Sequence, residues 1–191
     1  MIDSRSPLAT KILELNPGAY QALIVTGQPF APACEILEKS HPEQLLSSPI
    51  KSPAFASALL AALWLWHDAL DECHRIVQNP PDQNSTPTYA FWHAIMHRRE
   101  GDFSNSKYWY ARCTNHPALQ TLAAQAGAIV NPAPADKMLL RITASGWNPN
   151  AFVDLAESVN ETESDPRSQT AVQLQRLEWQ VLWNHCLAAA V

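Results

Sequence analysis

Apolar residues recur at helical spacing between frequent prolines, and this pattern constrains the fold more than any other feature of the chain. The 191-residue sequence contains 15 prolines and only 5 glycines. Stripes such as Leu70, Cys73, Ile76 and Val77 repeat every three or four positions, whereas the alternation and β-branched runs typical of strands are scarce. Because proline breaks a helix interior but fits its first turn, we expect an all-α chain of roughly eight helices.

The length and composition of the chain predict a single helical domain over residues 1–191. A chain of this size fits one hydrophobic core, and its 47% of hydrophobic residues is sufficient to fill that core. Residues 1–53 form a proline-interrupted N-terminal part, in which residues 19–25 fit either a helix or a strand. Residues 54–117 form helix hairpins, and residues 118–191 form the C-terminal helices. The expected helices span about 8–15, 54–66, 68–78, 88–99, 103–114, 117–130, 135–145, 148–159 and 168–189.

Charge and apolar runs argue against two classes of partner. The chain has 13 basic and 18 acidic residues, and its net charge of −5 disfavours nucleic-acid binding. Its longest apolar run, residues 58–66, is far shorter than the roughly 20 residues of a membrane span.

The first residues lack the pattern of a signal peptide and the four cysteines form no CxxC pair, so we expect a cytoplasmic protein with free thiols. The helix over 168–189 has little polar face, so we expect it to be buried or to form a homo-oligomer.

The central helix hairpins resemble tetratricopeptide repeats in one unit. A turn of Gly101, Asp102 and an aromatic residue precedes Ser106 and Tyr110, which matches the turn and second helix of that repeat. The usual tryptophan position of the first helix holds Ala90, and the preceding hairpin matches poorly. Since stable repeat arrays need about three units, the resemblance predicts the packing of the hairpins and no function.

Two predicted helices each carry three polar side chains at the spacing i, i+4, i+7. At about 100° per residue, each trio lies within a wedge of roughly 60°, beside the apolar stripe rather than in it. The two helices are consecutive, so we expect them to be antiparallel neighbours whose polar wedges face one groove. The trios are His67, Asp71 and His74 on the first helix, and His93, His97 and Glu100 on the second.

Two kinds of chemistry fit these trios. Histidines at i and i+4 can bind one divalent metal while a carboxylate completes the sphere, and imidazole titrates near neutral pH, which suits proton transfer. The residue after His93 is Ala94, so the zinc-peptidase motif HExxH is missing. A competing interpretation is structural, since His, Asp and Arg on adjacent helices also form bonds that fix the packing. The candidates are His74, His93 and His97 as metal ligands, His93, His97 and Glu100 as catalytic residues, and Asp71, His74, Arg98, Arg99, Asp102 and Asn105 as ligand-binding residues.

Aromatic residues are concentrated between residues 89 and 110. Such residues can stack on bases or sugars, but aromatics at helical spacing more often belong to a core, and the net negative charge disfavours nucleic acid. We therefore expect core residues here, with Trp109 buried. The set comprises Tyr89, Phe91, Trp92, Phe103, Tyr108, Trp109 and Tyr110.

The segment from residue 65 to residue 117 resembles an uncharacterised family of bacterial and fungal proteins. The family pattern is close to Leu-Asp-x-x-His, then Trp-His-x-x-x-His-Arg-Arg-Glu-x-Asp-x-x-Asn-x-Lys-Tyr-Trp, then His-Pro. The sequence departs from it at Cys73, where a small residue is expected, and at Ala111, which replaces the first residue of an Arg pair. The resemblance implies a shared function for the polar positions of the motif, and it brings no activity with it.

Two functions remain open for the chain. The first is a binding or scaffold protein that holds a small polar ligand or a peptide in the groove and needs no cofactor. The second is a hydrolase or lyase that uses His93 and His97, with or without His74 and a divalent metal. Both functions require the imidazoles and Glu100 to converge, because a site is defined by the mutual geometry of its groups.

Overall fold

The computed structural model describes residues 5–130, 136–161 and 164–191. Within these ranges the chain forms ten α-helices, one 3-10 helix and no β-strand, so the predicted all-α fold is confirmed. None of the helices in the described ranges combines the length and apolarity needed to cross a bilayer. The elements are α1 (Pro7–Glu14), α2 (Ala31–Leu37), the 3-10 helix (Pro42–Leu45), α3 (Pro53–Trp66), α4 (Leu70–Val77), α5 (Thr86–Glu100), α6 (Phe103–Tyr110), α7 (Pro117–Val130), α8 (Lys137–Thr143), α9 (Pro149–Glu161) and α10 (Ser168–Ala190).

Prolines begin helices in this fold rather than interrupt them. α1, α3, α7 and α9 start with Pro7, Pro53, Pro117 and Pro149, and Pro87 is the second residue of α5. The first residues of a helix have no intrahelical acceptor for their N–H groups, so a residue without an N–H loses nothing there. The proline pattern therefore predicts where these helices begin.

Two consecutive helix hairpins, α3–α4 and α5–α6, carry the polar motif. α5 is capped by Gly101, whose φ of 91° lies in the left-handed region that favours glycine, and α6 begins two residues after this cap. The buried Ser106 donates its hydroxyl to the carbonyl oxygen of Ala94 at 2.7 Å, so α5 and α6 pack closely where both side chains are small. α4 also packs against α5, which brings the polar residues of the two hairpins to a common boundary.

The core is built around α3, α5 and α10. Trp179 of α10 donates its indole N–H to the carbonyl oxygen of Ala62 at 3.1 Å, and Tyr89 of α5 donates its hydroxyl to that of Ala54 at 3.0 Å. Helices α3, α7 and α9 of the same chain cover α10. The sequence predicted that this helix would be buried or would form a homo-oligomer. Its burial within the chain is enough to account for its apolar surface. Self-association through α10 stays a prediction.

Helix boundaries differ from the prediction where tertiary contacts decide them. α4 begins at Leu70 rather than at residue 68, because Asp68 has a φ of 67° that no α-helix accommodates. Residues 19–25 form neither a helix nor a strand, and the N–H of Val25 donates to the carbonyl oxygen of Arg99 at 2.7 Å. α2 and the 3-10 helix lie between residues 26 and 53, a stretch in which no helix was predicted. The first residue of the helix expected over 135–145 lies outside the described residues.

Candidate functional site

Three imidazoles meet at the boundary between α4 and α5. His74 lies on α4, and His93 and His97 lie one turn apart on α5. One nitrogen from each ring lies within 4.8 Å of the others. The His93 and His97 rings are stacked with centroids 4.7 Å apart, and His74 approaches both edge-on, at 4.8 Å from His93 and 5.5 Å from His97. The expected convergence of these three side chains is confirmed.

His93 is the most buried member of this trio, with 2% of its surface exposed. Among the described residues, neither of its ring nitrogens has a hydrogen-bond partner. Burial is the main cause that lowers the pKa of His93 to about 3, and the neighbouring His97 and His74 lower it further. The ring is therefore neutral near pH 7, and an unsatisfied buried polar group of this kind costs about 1–3 kcal/mol.

His97 is oriented by Glu100, one turn further along α5. Its Nδ1 lies 2.8 Å from Oε2 of Glu100. Since a carboxylate accepts hydrogen bonds, Nδ1 is the donor in this contact, and in a neutral ring Nε2 would keep its in-plane lone pair. The amide nitrogen of Asn105 lies 3.0 Å from Nε2 and 3.4 Å from Nδ1. An atom that lay in the plane of the imidazole at both of these distances would collide with Cε1, the carbon between the two nitrogens. The amide nitrogen of Asn105 therefore lies against the face of the His97 ring.

Asp102 lies beside His97 and Glu100 at the start of α6. Each of the three offers a ligand atom within 4.8 Å of the other two. Asp102 also caps α6, because its Oδ1 accepts the backbone N–H of Asn105 and the hydroxyl of Ser104, both at 3.0 Å. The N–H of Asn105 is the main cause that lowers the pKa of Asp102. The site therefore has an acidic side formed by two exposed carboxylates.

Trp109 covers His93, and the expectation that it is a buried core residue is wrong. The indole is only partly buried, and it stacks on the His93 ring with centroids 3.9 Å apart and planes 18° apart. Tyr108 meets the indole edge-on at 5.4 Å. α6 ends at Tyr110, and Tyr110 rather than Trp109 points into the core. Sequence periodicity could not distinguish these two neighbouring aromatic residues.

Arg98 belongs to a buried network on the other side of α5, and the structure does not bring it to the imidazoles. Its guanidinium is fully buried, pairs with Glu178 of α10 at 2.6 Å and lies 4.3 Å above the Phe152 ring. It also donates to the hydroxyl of Tyr110 at 2.7 Å, and Tyr110 donates to Glu178 at 2.7 Å. The role of Arg98 is therefore to join α5, α6, α9 and α10.

Arg99 likewise has internal partners instead of a position in the site. It pairs with Asp68 at 2.7 Å, donates to the carbonyl oxygen of Leu65 at 2.7 Å and lies 4.0 Å above the Tyr20 ring. These contacts join α5 to the end of α3 and to the irregular segment before α2. The expectation that Arg98 and Arg99 line a ligand groove is corrected by these partners.

Two residues of the first predicted trio lie apart from the imidazoles. His67 ends α3 instead of continuing into α4, is fully buried, and approaches the carbonyl oxygen of Ile12 with Nε2 at 2.9 Å. Asp71 is exposed in the first turn of α4, where its carbonyl oxygen accepts from Arg75. The break at Asp68 changes the helical phase between them, so the i, i+4, i+7 spacing does not extend across it.

Two further histidines, apart from His74, His93 and His97, pack against each other, and the sequence did not predict this contact. His116, at the start of α7, and His185 of α10 meet edge-on with ring centroids 4.5 Å apart. Both nitrogens of His116 are bonded, since Nδ1 accepts the N–H of Ala118 at 3.1 Å and Nε2 lies 2.9 Å from the hydroxyl of Thr88. The two histidines are distant in sequence, so no local spacing could have linked them.

Comparison with known proteins adds no assignment to this geometry. No family model, no curated protein and no solved structure matches the chain. The resemblance of residues 65–117 to an uncharacterised family stays a prediction.

Proposed function

We propose that this protein binds one divalent transition-metal ion, with Zn²⁺ as the best fit, through His74, His93 and His97. The observation that carries the proposal is the position of the three nitrogens within 4.8 Å of one another around a buried imidazole. A metal would satisfy the lone pair of His93, to which no described residue donates. Binding would thereby offset the cost of burying an unsatisfied polar group.

The type and number of ligands support a zinc-like ion. Neutral imidazole is a ligand for Zn²⁺, Cu²⁺, Ni²⁺ and iron, whereas Mg²⁺ and Ca²⁺ prefer oxygen. Zn–N bonds of about 2.0–2.1 Å in a tetrahedral site place ligand nitrogens about 3.3 Å apart. Nitrogen separations of up to 4.8 Å must therefore shorten when an ion binds. Three protein ligands leave a fourth position, which water or a small polar ligand can take.

Glu100 is placed to orient the imidazole of His97, one of the three proposed metal ligands. Its bond to Nδ1 of His97 fixes the ring and directs the Nε2 lone pair away from the carboxylate. Such a bond also raises the basicity of the coordinating nitrogen. Glu100 therefore supports metal binding without being a ligand itself.

A metal-dependent hydrolase or lyase is the second candidate function. Three histidine ligands would leave the fourth coordination position of the metal open. Glu100, whose side chain is half exposed, lies near this position, and these two features favour the second candidate. A metal held by these histidines would lower the pKa of a bound water and so supply a nucleophile. A groove for a small polar ligand or peptide has less support, because Arg98 and Arg99 are bonded internally. Tetratricopeptide-like hairpin geometry and a cytoplasmic location stay predictions.

Metal stoichiometry after equilibrium dialysis tests the proposal. The wild-type chain, dialysed against Zn²⁺ and then against metal-free buffer, should retain close to one ion in elemental analysis. His74→Ala should abolish retention, and because His74 is only partly buried, this variant should still fold. His185→Ala is the matched control, since His185 is a partly buried histidine of α10 that packs against His116 instead of the trio. A metal-free wild type, or equal retention by His74→Ala and His185→Ala, would overturn the proposal.

A further inference from the structure

Trp109 packs on the site in a way that differs from a core tryptophan. Trp179, for comparison, stacks within the core on Trp183 with ring centroids 5.0 Å apart. Trp109 is only partly buried, and its flat face lies on the imidazole of His93 at 3.9 Å. His97 stacks on the same imidazole at 4.7 Å. The His93 ring therefore stacks against both an indole and a second imidazole.

The indole face interacts differently with a free and a metal-bound imidazole. A neutral imidazole has little net charge, so its stacking on Trp109 is an ordinary aromatic contact. A divalent metal at His93 withdraws electron density from the ring and makes it positively polarised. The negative face of an aromatic ring attracts such a cation, and tryptophan does so most strongly. A contact that stabilises one state more than the other shifts the binding equilibrium towards that state.

We propose that Trp109 is a positioning residue that strengthens metal binding by stacking on the coordinated ring of His93. This inference rests on the proposed function, because it names a residue that tunes the same metal site. Trp109 touches no metal in this account and acts only through His93. The aromatic face, rather than the bulk of the side chain, sets the metal affinity.

Substitutions that separate the aromatic face from bulk test this inference. We would titrate Co²⁺ and Zn²⁺ into the wild type and into Trp109→Phe, Trp109→Leu and Tyr108→Leu, after circular dichroism has verified each fold. Trp109→Phe should stay close to the wild-type Kd, and Trp109→Leu should weaken metal binding by roughly three- to thirtyfold. Tyr108→Leu is the control, because Tyr108 is an exposed neighbour that meets Trp109 at its edge. It should leave the Kd unchanged.

A spectroscopic readout separates this role from a merely structural one. Zn²⁺ has no visible or near-ultraviolet absorption of its own, so any change in the indole absorption band on Zn²⁺ binding comes from the protein. We expect such a change from Trp109, and Trp109→Phe should remove most of it. Wild-type affinity in Trp109→Leu, or equal weakening in the Phe and Leu variants, would overturn the inference while the metal site stands. A wild type that binds neither ion would overturn the proposed function itself and this inference with it.

Discussion

His93 lies face to face with His97, one turn further along α5, with ring centroids 4.7 Å apart. Within the described part of the chain, neither nitrogen of His93 has a hydrogen-bond partner. Imidazoles that serve only to join helices are expected to be satisfied by those helices, as His116 is by Thr88 and Ala118. The contrast between the two buried histidines is the strongest sign that His93 has a role beyond packing.

Replacing His93 by leucine should separate function from stability. In the metal-free protein, His93→Leu should leave the free energy of unfolding unchanged or raise it by about 1 kcal/mol, because it removes an unsatisfied polar group. His116→Leu is the control and should lose about 1–3 kcal/mol, because it leaves the partners of a bonded ring unsatisfied. Urea unfolding with a chelator present measures both. A loss above about 2 kcal/mol in His93→Leu would assign a structural role to that imidazole.

Glu178→Ala should be among the most damaging single substitutions in the chain. It would leave the fully buried guanidinium of Arg98 without its carboxylate, which typically costs about 3–5 kcal/mol. Lys107→Ala is the control, because the Lys107 pair with Asp154 is partly exposed and should contribute less than about 1 kcal/mol. Urea unfolding measures both values. Comparable losses in the two variants would contradict the role given to the Arg98 network.

Acid should destabilise the fold through His116. Burial is the main cause that lowers its pKa from 6.5 to about 3, and the adjacent His185 contributes. Between these values the unfolded chain binds a proton that the folded chain excludes. Stability is therefore fully present above about pH 6.5 and is lost as the pH falls towards 3, by at most about 1.4 kcal/mol per pH unit from this group.

The variant His116→Gln tests this pH dependence. Its curve of unfolding free energy against pH should have a smaller slope than the wild type between pH 6 and pH 4. The remaining slope would include His93, His185 and His67, whose pKa values burial also lowers. Identical slopes for variant and wild type would show that His116 contributes no linkage.

Glu100→Gln should weaken metal binding without removing a ligand. The amide can still contact Nδ1 of His97, but it lacks the charge that raises the basicity of the ring, and loss of such partners typically costs 10- to 100-fold in metal affinity. Competition with a chelator gives the Kd, and Glu43→Gln, an exposed acid of the 3-10 helix, is the control. Unchanged affinity in Glu100→Gln would show that the carboxylate does not support the site.

Local sequence patterns predicted most of the helices, though not α2 or the 3-10 helix, and the grouping of His74, His93 and His97, because these features depend on short spacings. Prolines such as Pro53 and Pro117 begin helices where expected. His93 and His97 are one turn apart on α5, and the hairpin order brings His74 of α4 to them. Spacing within an element and the adjacency of consecutive elements were sufficient for this part of the site.

Long-range partners decided what the sequence could not predict. Arg98 and Arg99 follow His97 directly, yet they face Glu178 and Asp68, and no local pattern indicates those partners. Residues 19–25 have no regular structure because their backbone is bonded to distant groups, for example through the amide of Gln175, which donates to Ala22. Such contacts override local propensity.

Cobalt spectroscopy tests the central claim most directly, because the visible spectrum of Co²⁺ reports both the number of sites and their geometry. Titration of the wild-type chain should give a saturating, intense spectrum typical of tetrahedral coordination, with one ion per chain. His74→Ala, which removes one of the three nitrogens, should lose that spectrum, and Zn²⁺ should displace the ion from the wild type. A weak spectrum like that of aqueous Co²⁺, without saturation, would contradict the assignment of a metal site to His74, His93 and His97.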